Sequence, residues 1–185
     1  MHRSEGGFSL IEVLVAALVL VFGVIGAIGM QLTALRTTQQ SIFHSSALHL
    51  AADMADRMRA NLGRMQTFDR DNPYLQVDLA AEQSVPHSDT ACYDPRGCDP
   101  RQIAQLEIDA WLRRLAETLP GARVRICRDL TPWHTAEASF SWDCEETGPS
   151  TPVLIKIGWR DKNESGGEDR ISSPRIVLPV ASFAQ

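Results

Sequence analysis

The chain has no run of basic residues: 18 lysines and arginines are scattered among 23 acidic residues, for a net charge of −5. A nucleic-acid partner needs a concentrated positive footprint, which this sequence does not supply. Catalytic signatures are missing as well. There is no phosphate-binding glycine loop, no Gly-x-Ser-x-Gly elbow, no His-Glu-x-x-His and no isolated acid pair in an apolar setting. The reading is therefore not an enzyme, and no cofactor is expected. Between Gln31 and Leu62 neither proline nor glycine occurs, so nothing there stops a helix. Between Phe8 and Met30 charge itself is scarce, with Glu12 the one ionisable side chain among 23 residues.

That run would make about 35 Å of helix against a bilayer hydrocarbon core of roughly 30 Å, so it is long enough to span. A carboxylate at mid-membrane costs on the order of 3 kcal/mol, and Glu12 needs a reason. A secretory signal peptide places its small-residue cleavage site after the apolar run. Here Gly6-Gly7 precedes the run and Glu12 interrupts it. A plain membrane anchor explains the length and neither of those features. The order of a short polar leader, glycine, Phe8-Ser9-Leu10-Ile11-Glu12 and a long apolar helix resembles the processing motif of type IV prepilins and the related pseudopilins. That reading uses every odd residue.

The resemblance implies a set of roles. A prepilin peptidase, which is also the methylase, would cut after Gly7, and Phe8 would become the N-methylated amino terminus. Glu12 would meet the free amino terminus of a neighbouring subunit during assembly, which fits the cost of leaving a carboxylate alone in low dielectric. Snorkelling of Glu12 to the headgroups is the alternative while the chain sits in a membrane. The implied fold is pilin-like α+β: a long N-terminal helix, membrane-spanning in its first half, packed on an antiparallel β-sheet domain with a second helix. Implied partners are the prepilin peptidase, other minor pilins and the major pilin, a tip adhesin, the inner-membrane assembly platform and the membrane itself. The implied location is the inner membrane, as a single pass with the C-terminal domain periplasmic, and then the fibre at the cell surface. Within the family, a minor pilin of the initiation or tip complex and a minor pseudopilin of type II secretion share these features. Outside it, a membrane-anchored periplasmic binding protein is the remaining alternative.

The expected organisation is a leader at 1–7, a membrane or filament-core helix at 8–30, its amphipathic continuation at 31–62 and a globular α+β domain at 63–185. In the leader, Arg3 and Glu5 cancel. Gly23, Gly26 and Gly29 recur every third residue, consistent either with close helix packing or with a segment that loosens on assembly. Leu32, Leu35, Ile42, Ala47, Leu50, Ala51, Met54, Ala55 and Met58 continue the helical period. Asp53 and Arg57 are spaced for a surface ion pair. His44 and His49, five apart, point to different sides and are expected to be solvated. Residues 63–99 form a polar connection with at most a short element near Tyr74–Ala81.

Asp99-Pro100-Arg101-Gln102 predicts a helix start, with an aspartate cap, proline at the first position and glutamine placed for a capping box. Ile103, Leu106, Ala110, Trp111, Leu115 and Leu119 supply its expected apolar face, Asp109, Arg113 and Glu117 a charged row, and Leu119-Pro120-Gly121 its end. Strands are predicted at Arg123–Arg128, Ser139–Cys144, Val153–Trp159 and Pro174–Val180. The acidic connection Asp161–Asp169 suits a hairpin loop. Asp161, Asn163, Ser165 and Gly166 mimic the start of a calcium loop, but Ser172 stands where the bidentate glutamate belongs, so no metal is expected.

Cys92, Cys98, Cys127 and Cys144 all follow the apolar run and allow three disulfide pairings. The expected one joins Cys92 to Cys98 across a short loop and Cys127 to Cys144 between two candidate strands. A zinc site with His87 or His134 matches no common finger spacing.

Overall fold

The computed structural model describes residues 9–61, 65, 69–80, 83, 97–145, 151–160, 171 and 173–180. The chain divides into two compact units, Met1–Ile42 and Phe43–Gln185. Helix α1 (Leu10–Ala60) contributes to both. In the first unit its residues from Val13 to Met30 are all apolar or glycine and all exposed.

In the second unit, α1 buries Ala47, Ala51, Met54, Ala55 and Met58, a stripe at helical spacing whose alanines let neighbouring backbone come close. Helix α2 (Pro100–Thr118) starts as its sequence dictates. The Asp99 carboxylate accepts from the Arg101 and Gln102 amides at 2.7 and 3.0 Å, and the Gln102 side chain accepts from the Asp99 amide at 2.9 Å. Trp111 of α2 is fully buried and donates its indole N–H to the Leu50 carbonyl at 2.9 Å, fastening the two helices. Asp53 accepts from both Arg57 (3.1 Å) and Arg114 (2.9 Å), so the pair expected within α1 also reaches α2.

The apolar face of α2 differs from the one read off the sequence. Ala104, Ile108, Trp111, Leu112 and Leu115 are buried, whereas Ile103 is 45% exposed and Ala110 faces water. With Trp111 locked onto Leu50, the inward stripe runs through 104, 108, 111, 112 and 115, and the helix turns Ile103 outward. The same rotation buries Asp109, which accepts from Gln105 at 3.0 Å and leaves the expected charged row.

Between the helices, a 3-10 turn at Asp69–Asp71 is followed by a second at Pro73–Gln76, capped by the buried Asn72 side chain, which accepts from the Tyr74 amide at 3.1 Å. Tyr74 is buried. Its hydroxyl lies 3.4 Å from the Asn61 amide nitrogen and 3.5 Å from a Glu107 oxygen. Burial pushes its pKa above 10, the Asn61 bond opposes this, and the charge of Glu107 adds to it. The short element expected near Tyr74–Ala81 is this turn plus a two-residue strand, β1 (Asp78–Leu79).

The main sheet is antiparallel, in the order β1, β2 (Arg123–Arg128), β5 (Val153–Gly158), β6 (Ile176–Val180). Its register runs Arg123↔Gly158 to Arg128↔Val153, and Val153↔Val180 to Ile157↔Ile176. Asp78 and Arg125 are direct cross-strand partners, an opposite-charge pair that favours this register. Strand β5 is buried along its whole length. Val153, Ile155 and Ile157 join the core with the helices. The opposite face, with Lys156 and Gly158, is covered by the segment after β2.

That segment forms a separate two-stranded hairpin, β3 (Trp133–His134) with β4 (Ser139–Phe140). The strand expected over Ser139–Cys144 therefore ends at Phe140. Beyond it the Ser141 hydroxyl accepts from the Asp143 amide at 2.9 Å, a local turn that competes with any ladder. Trp142 then folds onto β5. A side chain at Gly158 would place its Cβ 2.9 Å from the Trp142 ring and 2.8 Å from Ile171, so the close approach requires glycine there.

Candidate functional site

The strongest sequence feature lies in the first unit. The Ser9 carbonyl accepts from the Glu12 and Val13 amides at 3.0 and 3.3 Å, so the helical bonding begins at Ser9 and sets Glu12 in its first turn. The Glu12 side chain is exposed, and among the described residues it forms no ion pair. Gly7 and Phe8, the residues of the expected cleavage, lie outside the described residues.

An 18-residue window of this helix has a mean hydropathy of 2.8 and none of it is buried. Leaving a large aliphatic side chain in water forfeits roughly 1.5–3 kcal/mol, so a dozen of them demand a cover of lipid or of other apolar helices. Added Cβ atoms at Gly23, Gly26 and Gly29 would meet nothing within 4 Å, so among the described residues no close contact calls for these glycines. One turn further on, Thr33, Thr37 and Thr38 donate their hydroxyls to the carbonyls four residues back, at 3.1, 3.0 and 2.9 Å. A threonine that satisfies itself in this way can enter an apolar surrounding with little penalty. This part of α1 therefore combines a large uncovered apolar surface, small residues for close approach and a single carboxylate near its start. Such a surface is made to associate.

The second unit holds a different arrangement that the sequence reading missed. Lys156 and Asp129 are both buried, with Nζ 2.5 Å from Oδ2. The ammonium also donates to the carbonyls of Ser141 (2.8 Å) and Asp143 (2.5 Å), which uses all three of its protons. The other Asp129 oxygen accepts from the Thr131 amide at 3.0 Å. Lys156 thus gathers both ends of the β3–β4 segment onto the back of β5. Beside it a disulfide joins Cys127 to Cys144, with Cα atoms 6.2 Å apart. The available signal was one lysine inside an otherwise aliphatic strand, Val153-Leu154-Ile155-Lys156-Ile157.

Cys98 is also disulfide-bonded. Cys92, its expected partner, and His87 lie outside the described residues, as does the calcium-like segment Asp161, Asn163, Ser165, Gly166 and Ser172. His134 sits on the exposed strand β3, and Cys127 and Cys144 are committed to each other, so these residues do not form the rival zinc site. His44 and His49 are exposed, and the His44 ring meets Trp159 edge-on at 6.1 Å.

Neither a curated protein nor a solved structure matches the chain. Two families do. Residues 2–28 match the prokaryotic N-terminal methylation motif, and residues 29–111 match the family described as Type IV pilin Tt1218. The two matches meet end to end, the first covering most of the apolar run and the residues before it, the second the remainder of α1 and the first part of α2. The chain is thus similar to type IV pilins over residues 29–111, carries a match to the N-terminal methylation motif over residues 2–28, and has a pilin-like α+β fold.

Proposed function

We propose that this chain is a minor pilin that takes part in type IV pilus assembly, in the initiation or tip complex. The observation that carries this reading is the uncovered apolar length of α1 with one carboxylate in its first turn. On this reading the peptidase cuts after Gly7, Phe8 is methylated and Glu12 pairs with the amino terminus of a neighbouring subunit. Residues 1–7 are then the leader, 8–30 the membrane and filament-core helix, 31–62 its amphipathic continuation and 63–185 the periplasmic domain. The chain sits as a single pass in the inner membrane before entering the fibre. Beyond the opening motif, Leu50–Asn61, the Trp111 helix ending at Leu119-Pro120-Gly121, and Ile155–Trp159 resemble the minor pilin PilV. The companions this implies are other minor pilins, the major pilin, a tip adhesin and the assembly platform.

The test replaces Glu12 in the full chain and measures its content in sheared fibres. Glu12→Ala leaves a neighbour's ammonium without its partner in low dielectric, so incorporation should fall by about tenfold or more while leader cleavage proceeds. A variant that enters fibres at the normal level removes the pairing role. Deleting the gene should abolish or thin surface fibres. Intact fibres with lost exoprotein release would instead assign the chain to a type II secretion system.

A further inference from the structure

The β3–β4 hairpin and the residue three before it expose two large apolar side chains among polar ones, His134 included, and the hairpin is fixed at its base. Of the four tryptophans, Trp111, Trp142 and Trp159 are buried, whereas Trp133 is 48% exposed. Leu130, three residues before it, is 60% exposed, and Phe140 meets the Trp133 ring at 5.0 Å with the planes 80° apart. The near-perpendicular rings make a wedge and not a flat stacking platform. The connecting turn holds Ala138 at a φ of +48°, a conformation that disfavours a side chain, so the hairpin keeps its shape at a local cost. Its base is fastened three ways: by the Cys127–Cys144 bond, by the Lys156 ammonium on Asp129, Ser141 and Asp143, and by the Ser141 amide on the Pro132 carbonyl at 2.9 Å.

Carboxylates edge this wedge. Glu137 is exposed in the turn, and Glu145 is exposed and accepts from the Thr131 hydroxyl at 2.5 Å next to Leu130. Asp143 is exposed at the base. An acidic edge is repelled by anionic lipid and complements basic side chains. We propose that this hairpin is a docking wedge for a protein partner that presents an apolar groove bordered by lysine or arginine. A rigid aromatic anchor with an opposite-charge rim is the anatomy of a protein interface centre. The inference concerns the globular unit and does not depend on the pilus reading.

The experiment places a photoactivatable benzoylphenylalanine at Leu130 of the full chain in the cells that produce it, with the same probe at Glu117 on the exposed side of α2 as reference. The expected result is a discrete protein adduct from position 130, mapped to apolar residues flanked by Lys or Arg. Trp133→Ala in the same chain should lower its yield more than tenfold, and Glu137→Lys by about twofold to fivefold, the size one exposed charge pair allows. Each variant is scored only as chain that retains the Cys127–Cys144 bond. Adducts to lipid alone, adducts no different from those at Glu117, or a yield indifferent to both substitutions would overturn the proposal.

Discussion

Replacing Lys156 with methionine keeps much of the side-chain volume and removes the charge. Asp129 is 1% exposed, so its carboxylate would remain in the interior without a counter-ion, and the carbonyls of Ser141 and Asp143 would lose their donor. Breaking a buried pair from one side costs about 3–5 kcal/mol, against a total stability of about 5–15 kcal/mol for a domain. Adding Asp129→Asn removes the stranded charge and leaves an oxygen for the Thr131 amide. The double variant should therefore regain about 2 kcal/mol over Lys156→Met alone. Urea unfolding of the full chain in nonionic detergent, followed by tryptophan emission, reads both quantities. Trp142 lies under the Arg123 guanidinium, 4.2 Å from the ring centre, and donates its indole N–H to the Ile171 carbonyl at 3.0 Å, so it reports on this region. A loss below about 1 kcal/mol for the single variant, or two substitutions whose costs simply add, would refute the reasoning.

Three further outcomes follow from the packing. Gly158→Ala should cost about 1–3 kcal/mol because its Cβ collides with Trp142 and Ile171, and an unchanged unfolding midpoint would contradict that geometry. Ala138→Gly should stabilise the chain by about 0.5–1 kcal/mol by relieving the left-handed residue, and a destabilised variant in the same melt would show the turn is unstrained. Tyr74 has a folded pKa raised above 10 by burial, so the unfolded chain loses this proton first. Its contribution to stability is whole below pH 10 and is lost as the pH climbs toward the folded value. Tyr74→Phe should flatten that part of the stability curve, and an unaltered alkaline slope would count against it.

Much of the architecture was legible because local chemistry and tertiary structure agree. The Asp99 capping box, the apolar run, and the β-branched strands at 123–128 and 153–158 are set by side chains acting on their own backbone or on one pleated face. The rotation of α2 was not legible, because Ile103 and Ala104 are adjacent and hydrophobicity favours the wrong one. What decides is the reach of the Trp111 indole to Leu50, 61 residues away in sequence. Ser139–Cys144 has the composition of a strand, yet the carbonyls of Ser141 and Asp143 are taken by an ammonium from β5. Glu12 stands out in sequence because it is the one ionisable side chain between Phe8 and Met30. The Lys156–Asp129 pair does not, since only the fold brings together residues 27 positions apart.

On the proposed function, removal of residues 1–7 frees the Phe8 amine at the head of the already exposed apolar length of α1, so the most direct measurement is intact-mass and amino-terminal fragment analysis of the protein taken from membranes and from sheared fibres. The expected chain begins at Phe8 and carries one methyl group on its terminal nitrogen. A chain in fibres that still retains Met1 through Gly7 would contradict it.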